Sequence, residues 1–258
     1  MLISLLLLAC SGEPTPLDGV GPARADEAHG EAGHAGHGTI EAHGKPGETH
    51  EMQGRPHHGG DHATVDHSFA DAEKWSEIFD DPERDAWQKP AELVAALSLE
   101  PGSTVADIGA GTGYFNPHLS RAVGAEGAVI AVDIEQTLVD HMATRAERDG
   151  TANVQPRLGK ADDPGLTAEE VDLVLLVDTY HHIDGRTAYF TRLKDSVKPG
   201  GRLVIVDFKP GEIPVGPPED HRIPEAKVVS ELTEAGWTDG GSLEVLPYQF
   251  VRVMKKEG

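Results

Sequence analysis

Cysteine, basic residues and long apolar runs are all scarce in this chain. Cys10 is the single cysteine among 258 residues, so no disulfide can form within the chain. Lys and Arg number 22 against 44 Asp and Glu, and the formal net charge of −22 would repel a phosphate backbone. The apolar run over residues 1–9 is too short to cross a bilayer as a helix. These absences exclude a disulfide scaffold and disfavour a nucleic-acid partner.

Residues 11–68 also lack Phe, Trp and Tyr, and they hold few large aliphatic residues. They contain instead 12 Gly, 10 acidic residues and 9 of the 14 His. Such a segment cannot bury enough apolar surface to offset the entropy lost on ordering, so we expect a disordered, acidic linker rich in His and Gly. Its histidines could bind Zn, Ni or Cu loosely, but they have no fixed ligand spacing, so no defined metal site is predicted.

The amino-terminal run ends at Leu7-Leu-Ala-Cys10 and is followed by Ser11 and Gly12. This pattern resembles a bacterial lipoprotein signal, which is cleaved before a cysteine that is then lipidated, although no Lys or Arg precedes the run. The resemblance implies a signal over residues 1–10, lipidation of Cys10 and anchoring on the periplasmic side of a bacterial envelope. If the signal is not used, we expect a cytoplasmic protein.

Three closely spaced glycines follow an apolar run that begins at Val105. They are Gly109, Gly111 and Gly113. Glycine backbones reach conformations closed to other residues and let a ligand lie against the chain, and a helix starting near Tyr114 would add free N–H groups. The next apolar run ends in Asp133, where a carboxylate can accept hydrogen bonds from both hydroxyls of a ribose. The pattern predicts a site for a nucleoside-bearing cofactor.

The spacing of the glycines separates two classes of such cofactors. A dinucleotide fingerprint has the form Gly-x-Gly-x-x-Gly and needs its third glycine at position 114, which is Tyr114. The spacing here is Gly-x-Gly-x-Gly, and Asp107 before it could hold an ammonium group. An NAD-dependent oxidoreductase is therefore the least favoured of the functions we consider.

Apolar runs and helical patterns alternate in the second half of the chain. Residues 171–177 and 202–208 predict buried strands, and residues 186–197 predict a helix between them. The closing elements predicted are a helix over 224–235 and strands over 242–246 and 248–254. This alternation favours an α/β fold, in which a mostly parallel sheet carries helices on both faces.

Several of these motifs resemble those of one enzyme family. Asp-x-Gly-x-Gly-x-Gly, over residues 107–113, resembles motif I of the class I S-adenosylmethionine-dependent methyltransferases. The turn Lys198-Pro-Gly-Gly before a strand is similar to theirs. Residues 178–183 and the late Glu-Ala-Gly-Trp over 234–237 look most like the branch that contains the quinone C-methyltransferases and many small-molecule enzymes.

The resemblance implies a fold, a cofactor and a domain organisation. The fold would be a Rossmann-like, doubly wound sheet of seven strands, mostly parallel with an antiparallel last strand. The cofactor would be S-adenosyl-L-methionine. A helical lid over residues 69–102 would precede a methyltransferase domain over residues 103–258.

The resemblance also implies which residues bind the cofactor. The glycines would cradle its methionine part with Asp107 beneath it, and Asp133 would bind its ribose. Asp162 stands where the family often places an acid near the adenine amino group, and Asp163 could serve instead; a solvated turn is the alternative for both. The whole predicted set is Asp107, Gly109, Gly111, Gly113, Tyr114, Asp133, Asp162 and Asp178.

On the acceptor side, His181 or His182 follows the fourth predicted strand. Either could act as a base if the methyl acceptor is a hydroxyl or an acidic carbon, although a packed structural histidine is the alternative for each. Tyr180 could line the acceptor pocket, and Trp87 and Gln88 are candidates for lid residues that touch cofactor or acceptor. The Asn/Asp-Pro-Pro-aromatic motif of methyltransferases that act on base or glutamine amino groups is absent here.

We therefore expect methyl transfer from S-adenosylmethionine to a small-molecule acceptor. The alternative is a metal-binding surface lipoprotein that uses its His-rich arm and keeps the methyltransferase-like domain as a scaffold. Anchoring at Cys10 would place the domain across the membrane from the cytoplasmic supply of the cofactor, so the compartment bears directly on the function.

Overall fold

The structure is a computed structural model that describes residues 72–257. The predictions for the signal over residues 1–10, for lipidation of Cys10 and for the linker over residues 11–68 fall outside the described residues. Within the described part, no helix is both long enough and apolar enough to cross a membrane.

The described residues form seven α-helices, three of which precede the first strand. The helices are α1 (Ala72–Phe79), α2 (Asp85–Gln88), α3 (Pro90–Ala96), α4 (Asn116–Val123), α5 (Gln136–Asp149), α6 (Arg186–Ser196) and α7 (Glu225–Glu234). Short 3-10 turns occur at Pro82–Arg84, Tyr180–His182 and Glu219–His221. Proline, with its fixed φ, begins both the first 3-10 turn and α3.

Seven strands form a single sheet. The strands are β1 (Thr104–Ile108), β2 (Ala128–Asp133), β3 (Val154–Leu158), β4 (Val171–Val177), β5 (Val197–Phe208), β6 (Thr238–Ser242) and β7 (Gln249–Lys255). Their order across the sheet is β3-β2-β1-β4-β5-β7-β6. Strands β3, β2, β1, β4 and β5 pair in parallel, whereas β7 is antiparallel to both of its neighbours. The predicted mostly parallel sheet with an antiparallel last strand is confirmed.

The central strands are apolar on both sides because helices cover both faces of the sheet. Six of the seven residues of β4 are buried, and alternate residues of this strand enter two separate core clusters. One cluster contains Leu93 and Leu119 from the helices before and after β1. The other contains Phe190 and Trp237, on the side of α6 and α7. The sheet is thus the middle layer of three.

The strand order reverses direction beside β1. The chain moves outward from β1 through β2 to β3, and then crosses to the opposite side of β1 to form β4. Loops that leave the carboxyl ends of β1 and β4 therefore separate to opposite faces and leave a crevice, which is where open α/β sheets bind ligands. The glycine loop follows β1, and Asp178 to His182 follow β4.

One strand prediction is wrong. The sequence predicted a strand over residues 242–246, but β6 spans Thr238–Ser242 and pairs with β7 across an irregular register. Gly240 and Gly241 made residues 238–242 look like a turn. The chain nevertheless pairs with β7 on either side of these glycines, and Leu246 packs into the core from an irregular segment at 3% exposure.

Candidate active site

The glycine loop after β1 is held in a left-handed backbone conformation by its neighbours. Gly109, Gly111 and Gly113 have φ of 74°, 59° and 81°. A Cβ on Gly109 would lie 2.3 Å from Thr179 Oγ1, and one on Gly113 would lie 2.5 Å from Asn116 Nδ2. Packing therefore requires glycine at both positions. At Gly111 the nearest atom to an added Cβ is a ring carbon of Phe79 at 3.4 Å, so this residue faces the lid across an ordinary contact distance.

Asp133, at the end of β2, is tied to the glycine loop. Its Oδ2 accepts a hydrogen bond from Gly111 N at 2.9 Å, and its Oδ1 accepts one from Glu135 N at 3.0 Å. Burial raises the pKa of Asp133, and the two backbone donors oppose this shift. Each oxygen has a second lone pair, so the carboxylate can still accept hydrogen bonds from a diol.

Asp107 lies in β1 beneath the loop and is 3% exposed. Burial raises its pKa to about 7, the neighbouring charge of Asp133 adds to the shift, and Arg84 opposes it. A cationic ligand group beside this carboxyl would favour its ionised form.

Two apolar side chains lie beside Asp133 and were not identified from the sequence. Ile134 follows it directly, and Leu158 pairs with it across β2 and β3. They are 56% and 49% exposed, and they are two of the three exposed large apolar residues in the described chain. An uncovered apolar surface beside a carboxylate with remaining acceptor capacity suits a flat nucleobase.

The helices before β1 lie over the glycine loop. Thr112 Oγ1 donates to Asp80 Oδ1 at 3.2 Å, and Arg145 Nη1 of α5 donates to the same oxygen at 2.7 Å. The Tyr114 hydroxyl donates to Asp85. Asp80 and Asp85, which belong to the predicted lid segment of residues 69–102, therefore contact the glycine loop and Tyr114 directly.

A closed ring of four side chains joins this segment to the sheet, and we call it the lid latch. Arg84 Nε and Nη2 donate to Gln88 Oε1 at 3.3 Å, and Gln88 Nε2 donates to Gln249 Oε1 at 2.6 Å. Gln249 Nε2 donates to Asp178, whose Oδ2 lies 3.6 Å from Arg84 Nη2. Burial raises the pKa of Asp178 to about 7, Arg84 opposes this shift, and Asp207 adds to it.

His181 pairs with a carboxylate that the sequence analysis did not single out. Its Nδ1 lies 3.1 and 3.0 Å from the two oxygens of Asp207, which is fully buried near the end of β5. Burial by itself lowers the pKa of His181, but the hydrogen bond and charge of Asp207, together with the charge of Asp178, outweigh it and raise the pKa. The sequence signal that could have identified Asp207 is that it is the single acidic residue in the apolar run of residues 203–208.

His182 lies against the ring of His181 with centroids 4.2 Å apart and is half-buried. The Trp87 ring lies 6.1 Å from that of Phe208, at the carboxyl end of β5. Among the predicted residues, the structure thus brings together Asp107, the three glycines, Tyr114, Asp133, Asp178, His181, Trp87 and Gln88 at the carboxyl edge of the sheet or in the lid above it.

Three of the predicted residues lie in surroundings other than an open pocket at the glycine loop. Tyr180 does not line an open pocket, because it is fully buried, stacks on Phe190 and donates to Glu231 Oε2 at 2.6 Å. Gln88 is also fully buried, and its contacts are those of the lid latch. Asp162 is exposed in the turn after β3, and it lines a separate cleft along α6.

The edge of the sheet is rich in carboxylates but does not form a metal centre. Within residues 72–257, no group of three or more His, Cys, Asp or Glu side chains is arranged to hold a metal ion. Asp133 is instead paired with backbone N–H groups, Asp178 with Gln249 and Arg84, and Asp207 with His181.

Comparison with known proteins identifies the family. The family model described as "Methyltransferase domain" matches residues 105–201. A solved S-adenosylmethionine-dependent methyltransferase from Aquifex aeolicus is 30% identical, has a TM-score of 0.68, and is matched over 98% of its length by 72% of this chain. The chain belongs to the class I S-adenosylmethionine-dependent methyltransferases. S-adenosylmethionine is accordingly the cofactor that family and fold imply.

Curated relatives of this chain act on small molecules according to their names. Erythromycin 3''-O-methyltransferase from Saccharopolyspora erythraea is 28% identical over 171 residues, which cover 57% of this chain and 55% of that protein. The ubiquinone/menaquinone biosynthesis C-methyltransferase of Vibrio campbellii is 27% identical over 109 residues, 42% of each chain. The chain thus spans about half the length of the curated relatives it matches.

The residues of the methyltransferase fit this cofactor. Asp133 keeps acceptor capacity for a ribose diol, and Ile134 and Leu158 leave an apolar surface beside it. Gly111 presents a backbone without a side chain towards the lid. Asp107 offers a buried carboxyl to a cationic group.

Proposed function

We propose that this protein transfers a methyl group from S-adenosylmethionine to a small-molecule acceptor that carries an oxygen or carbon nucleophile. The observation that carries the proposal is the charge of the site. Asp107, Asp133 and Asp207 are buried and Asp178 is partly buried, all at one edge of the sheet. Buried carboxylates favour a cationic ligand and repel a pyrophosphate, so they support a sulfonium cofactor over a dinucleotide.

In the proposed site each residue has a separate task. Asp133 accepts the ribose hydroxyls, Ile134 and Leu158 contact the adenine, and Asp107 faces the ammonium group beneath the glycine loop. Asp162 and Asp163, the predicted partners of the adenine amino group, line a separate cleft along α6, so we do not place them in this site. The cofactor, when bound, supplies an electrophilic methyl group on a positively charged sulfur.

His181 is the candidate for acceptor activation. Asp207 holds its Nδ1, which fixes the ring orientation, so proton exchange with an acceptor would use Nε2. Oxygen and carbon acceptors lose a proton on methylation, and a histidine oriented by a buried carboxylate suits that step. The names of the two curated relatives, an O- and a C-methyltransferase, support the same acceptor class.

Calorimetric titration of the full chain with S-adenosylmethionine and S-adenosylhomocysteine tests the proposal. Asp133→Ala should weaken binding by about 1–3 kcal/mol, the range for charge-assisted hydrogen bonds, while Asp140→Ala on the exposed face of α5 should leave it unchanged. In a screen of phenols and quinols, His181→Gln should abolish transfer and keep cofactor affinity within about twofold. Failure of both ligands to bind the wild-type chain would refute the proposal.

We further propose that residues 1–10 act as a lipoprotein signal and that Cys10 anchors the protein on the periplasmic side of the envelope. The support is the sequence pattern alone, Leu7-Leu-Ala-Cys10 with Ser11 and Gly12 after it. A cytoplasmic protein is the alternative outcome.

A further inference from the structure

A second concave surface lies away from the glycine loop, between α6 and the connection from β3 to β4. Residues 159–170 form this connection and contain no helix. The space between them and α6 is a cleft of about 300 Å³, which we call the α6 cleft. This volume is at the lower end of the range for small-molecule sites. The cleft shares no lining residue with the glycine loop, Asp133 or the lid latch.

The two walls of the α6 cleft are fastened to each other. Arg192 Nη2 donates to the carbonyl oxygen of Asp162 at 2.8 Å, and Glu169 N donates to the carbonyl oxygen of Asp195 at 2.9 Å. Ser196 Oγ donates to the carbonyl oxygen of Leu166 at 3.4 Å. These bonds hold the connection on α6 at three points, so the shape exists before any ligand arrives.

The lining of the α6 cleft is negative. Asp162, Asp163 and Asp195 contribute three carboxylates, against the one guanidinium of Arg192. One N–H group of Arg192 is already bonded to the carbonyl oxygen of Asp162, and Asp163 Oδ1 accepts from Gly165 N at 2.8 Å. The remaining carboxylate oxygens leave the cleft suited to a cation and repel an anion.

Tyr189 supplies an independent sign of a ligand. Its side chain lines the α6 cleft and is 4% exposed, yet its hydroxyl makes no hydrogen bond within residues 72–257. Burial and the charge of Asp163 raise its pKa, so the hydroxyl stays protonated and can both donate and accept. Because no residue of the described chain bonds this hydroxyl, it is available in the cleft to donate to a ligand or to accept from one.

The other wall of the α6 cleft is apolar. Leu166 and Leu193 line it beside Pro164, and Leu193 belongs to the buried core on this face of the sheet. A bare metal ion would leave this wall uncovered, and the described residues contain no cluster that could coordinate one. The lining therefore combines a cation-binding side with an apolar side.

We propose that the α6 cleft binds a small organic amine in its protonated form, with the ammonium group at Asp163 and Asp195, a hydrogen bond to the Tyr189 hydroxyl, and the apolar body against Leu166 and Leu193. The site is separate from the methyl-donor site. Its occupation depends on neither the proposed reaction nor the compartment of the protein.

Calorimetric titration of the full chain with phenethylamine tests the proposal, and 2-phenylethanol serves as the neutral ligand of similar shape. The amine should bind one site at least about tenfold more tightly than the alcohol, because only the amine can form charge-assisted bonds. The double variant Asp163→Asn/Asp195→Asn should lose about tenfold in affinity for the amine. Tyr189→Phe, which keeps the ring, should lose about two- to tenfold.

A matched control removes the same charge elsewhere. Asp140 and Asp220 are exposed residues outside the α6 cleft, so Asp140→Asn/Asp220→Asn should leave the affinity within about twofold. Saturating S-adenosylhomocysteine should also leave it unchanged. Absence of amine binding, equal binding of amine and alcohol, an unaffected double cleft variant, or displacement by S-adenosylhomocysteine would each overturn the proposal. Thermal unfolding of every variant checks that the fold is intact.

Discussion

Asp107 and Asp178 are the two carboxyl groups whose ionisation is most sensitive to their surroundings. Burial raises the pKa of each to about 7 from an ordinary value of 3.8. Between pH 4 and 7 each group holds a proton in the folded protein that it has released in the unfolded chain. Their contribution to the free energy of unfolding of the unliganded protein therefore falls as pH rises through this window.

A cationic cofactor reverses this preference at Asp107. Because the ammonium group favours the ionised carboxyl, affinity for S-adenosylmethionine should rise with pH from 5.5 to 7, by up to about tenfold per pH unit for one released proton. Calorimetry in two buffers of different ionisation enthalpy measures both the affinity and the proton release. Asp107→Asn should flatten the profile. An affinity that falls over this range would contradict the placement of the ammonium group at Asp107.

We expect alanine substitutions at Gly109 and at Gly111 to differ in their effect on stability. Gly109→Ala places a methyl group against Thr179 Oγ1, so an overpacking cost of about 1–3 kcal/mol should add to the roughly 1–2 kcal/mol cost of a left-handed residue. Gly111→Ala meets only an ordinary contact with Phe79, so its stability cost should stay near the roughly 1–2 kcal/mol of a left-handed residue.

The same methyl group on Gly111 projects from the glycine loop, which we propose cradles the methionine part of the cofactor. Gly111→Ala should therefore reduce affinity for S-adenosylhomocysteine by about tenfold or more, out of proportion to its effect on stability. Urea denaturation and calorimetry of both variants provide the two measurements. A Gly111 variant with wild-type affinity would show that the cofactor does not lie against this glycine.

At the scale of elements, the lid latch is the contact that sequence patterns gave no means of predicting. Gln88 and Gln249 are 161 residues apart, and both are buried. The helical segment before β1 was expected from the family resemblance, which rests on local motifs. No local signal states which polar side chain meets which across the fold, so Gln88 was assigned to ligand contact instead of to Gln249.

Breaking the lid latch should loosen the segment that contains α2. Gln249→Ala removes the link between Gln88 and Asp178 and leaves buried partners unsatisfied, at a cost of about 1–3 kcal/mol. Hydrogen exchange of amides 83–89 should accelerate, as measured by mass spectrometry. The control Gln136→Ala removes an exposed side-chain bond on α5 and should not change this exchange. Equal exchange in the two variants would mean that the latch does not hold the lid.

The strands show the same division between local and long-range information. The predicted strand 171–177 coincides with β4, because a continuous apolar run needs cover on both faces and only a central strand has it. β6 was misplaced because Gly240 and Gly241 carry no strand signal, and its pairing depends on β7.

At the scale of the whole molecule, charge and the amino-terminal pattern bear on where the enzyme works. The net charge of −22 argues against nucleic-acid acceptors and agrees with small-molecule relatives. Anchoring at Cys10 would restrict acceptors to those that reach the periplasmic face.

Mass spectrometry of the mature amino terminus from native cells decides between the two compartments. We expect the chain to begin at Cys10 with a mass increase from attached lipid, because a cysteine after Leu-Leu-Ala is the modified residue of such signals. Cys10→Ala should remain unprocessed and leave the membrane fraction. An amino terminus at Met1 without lipid would place the protein in the cytoplasm and widen the choice of acceptors.

The sequence alone predicted the sheet from the alternation of apolar runs and helical patterns. It also predicted a nucleoside-bearing cofactor from the spacing of Gly109, Gly111 and Gly113 and from the acid at Asp133. These features are local, since backbone geometry and strand burial act over a few residues. Only the tertiary structure revealed four other features: the pairing of His181 with Asp207, the lid latch, the burial of Tyr180 and the α6 cleft. Each of these features depends on side chains that come together from distant segments of the chain. The local sequence around a side chain does not determine which distant side chain it contacts.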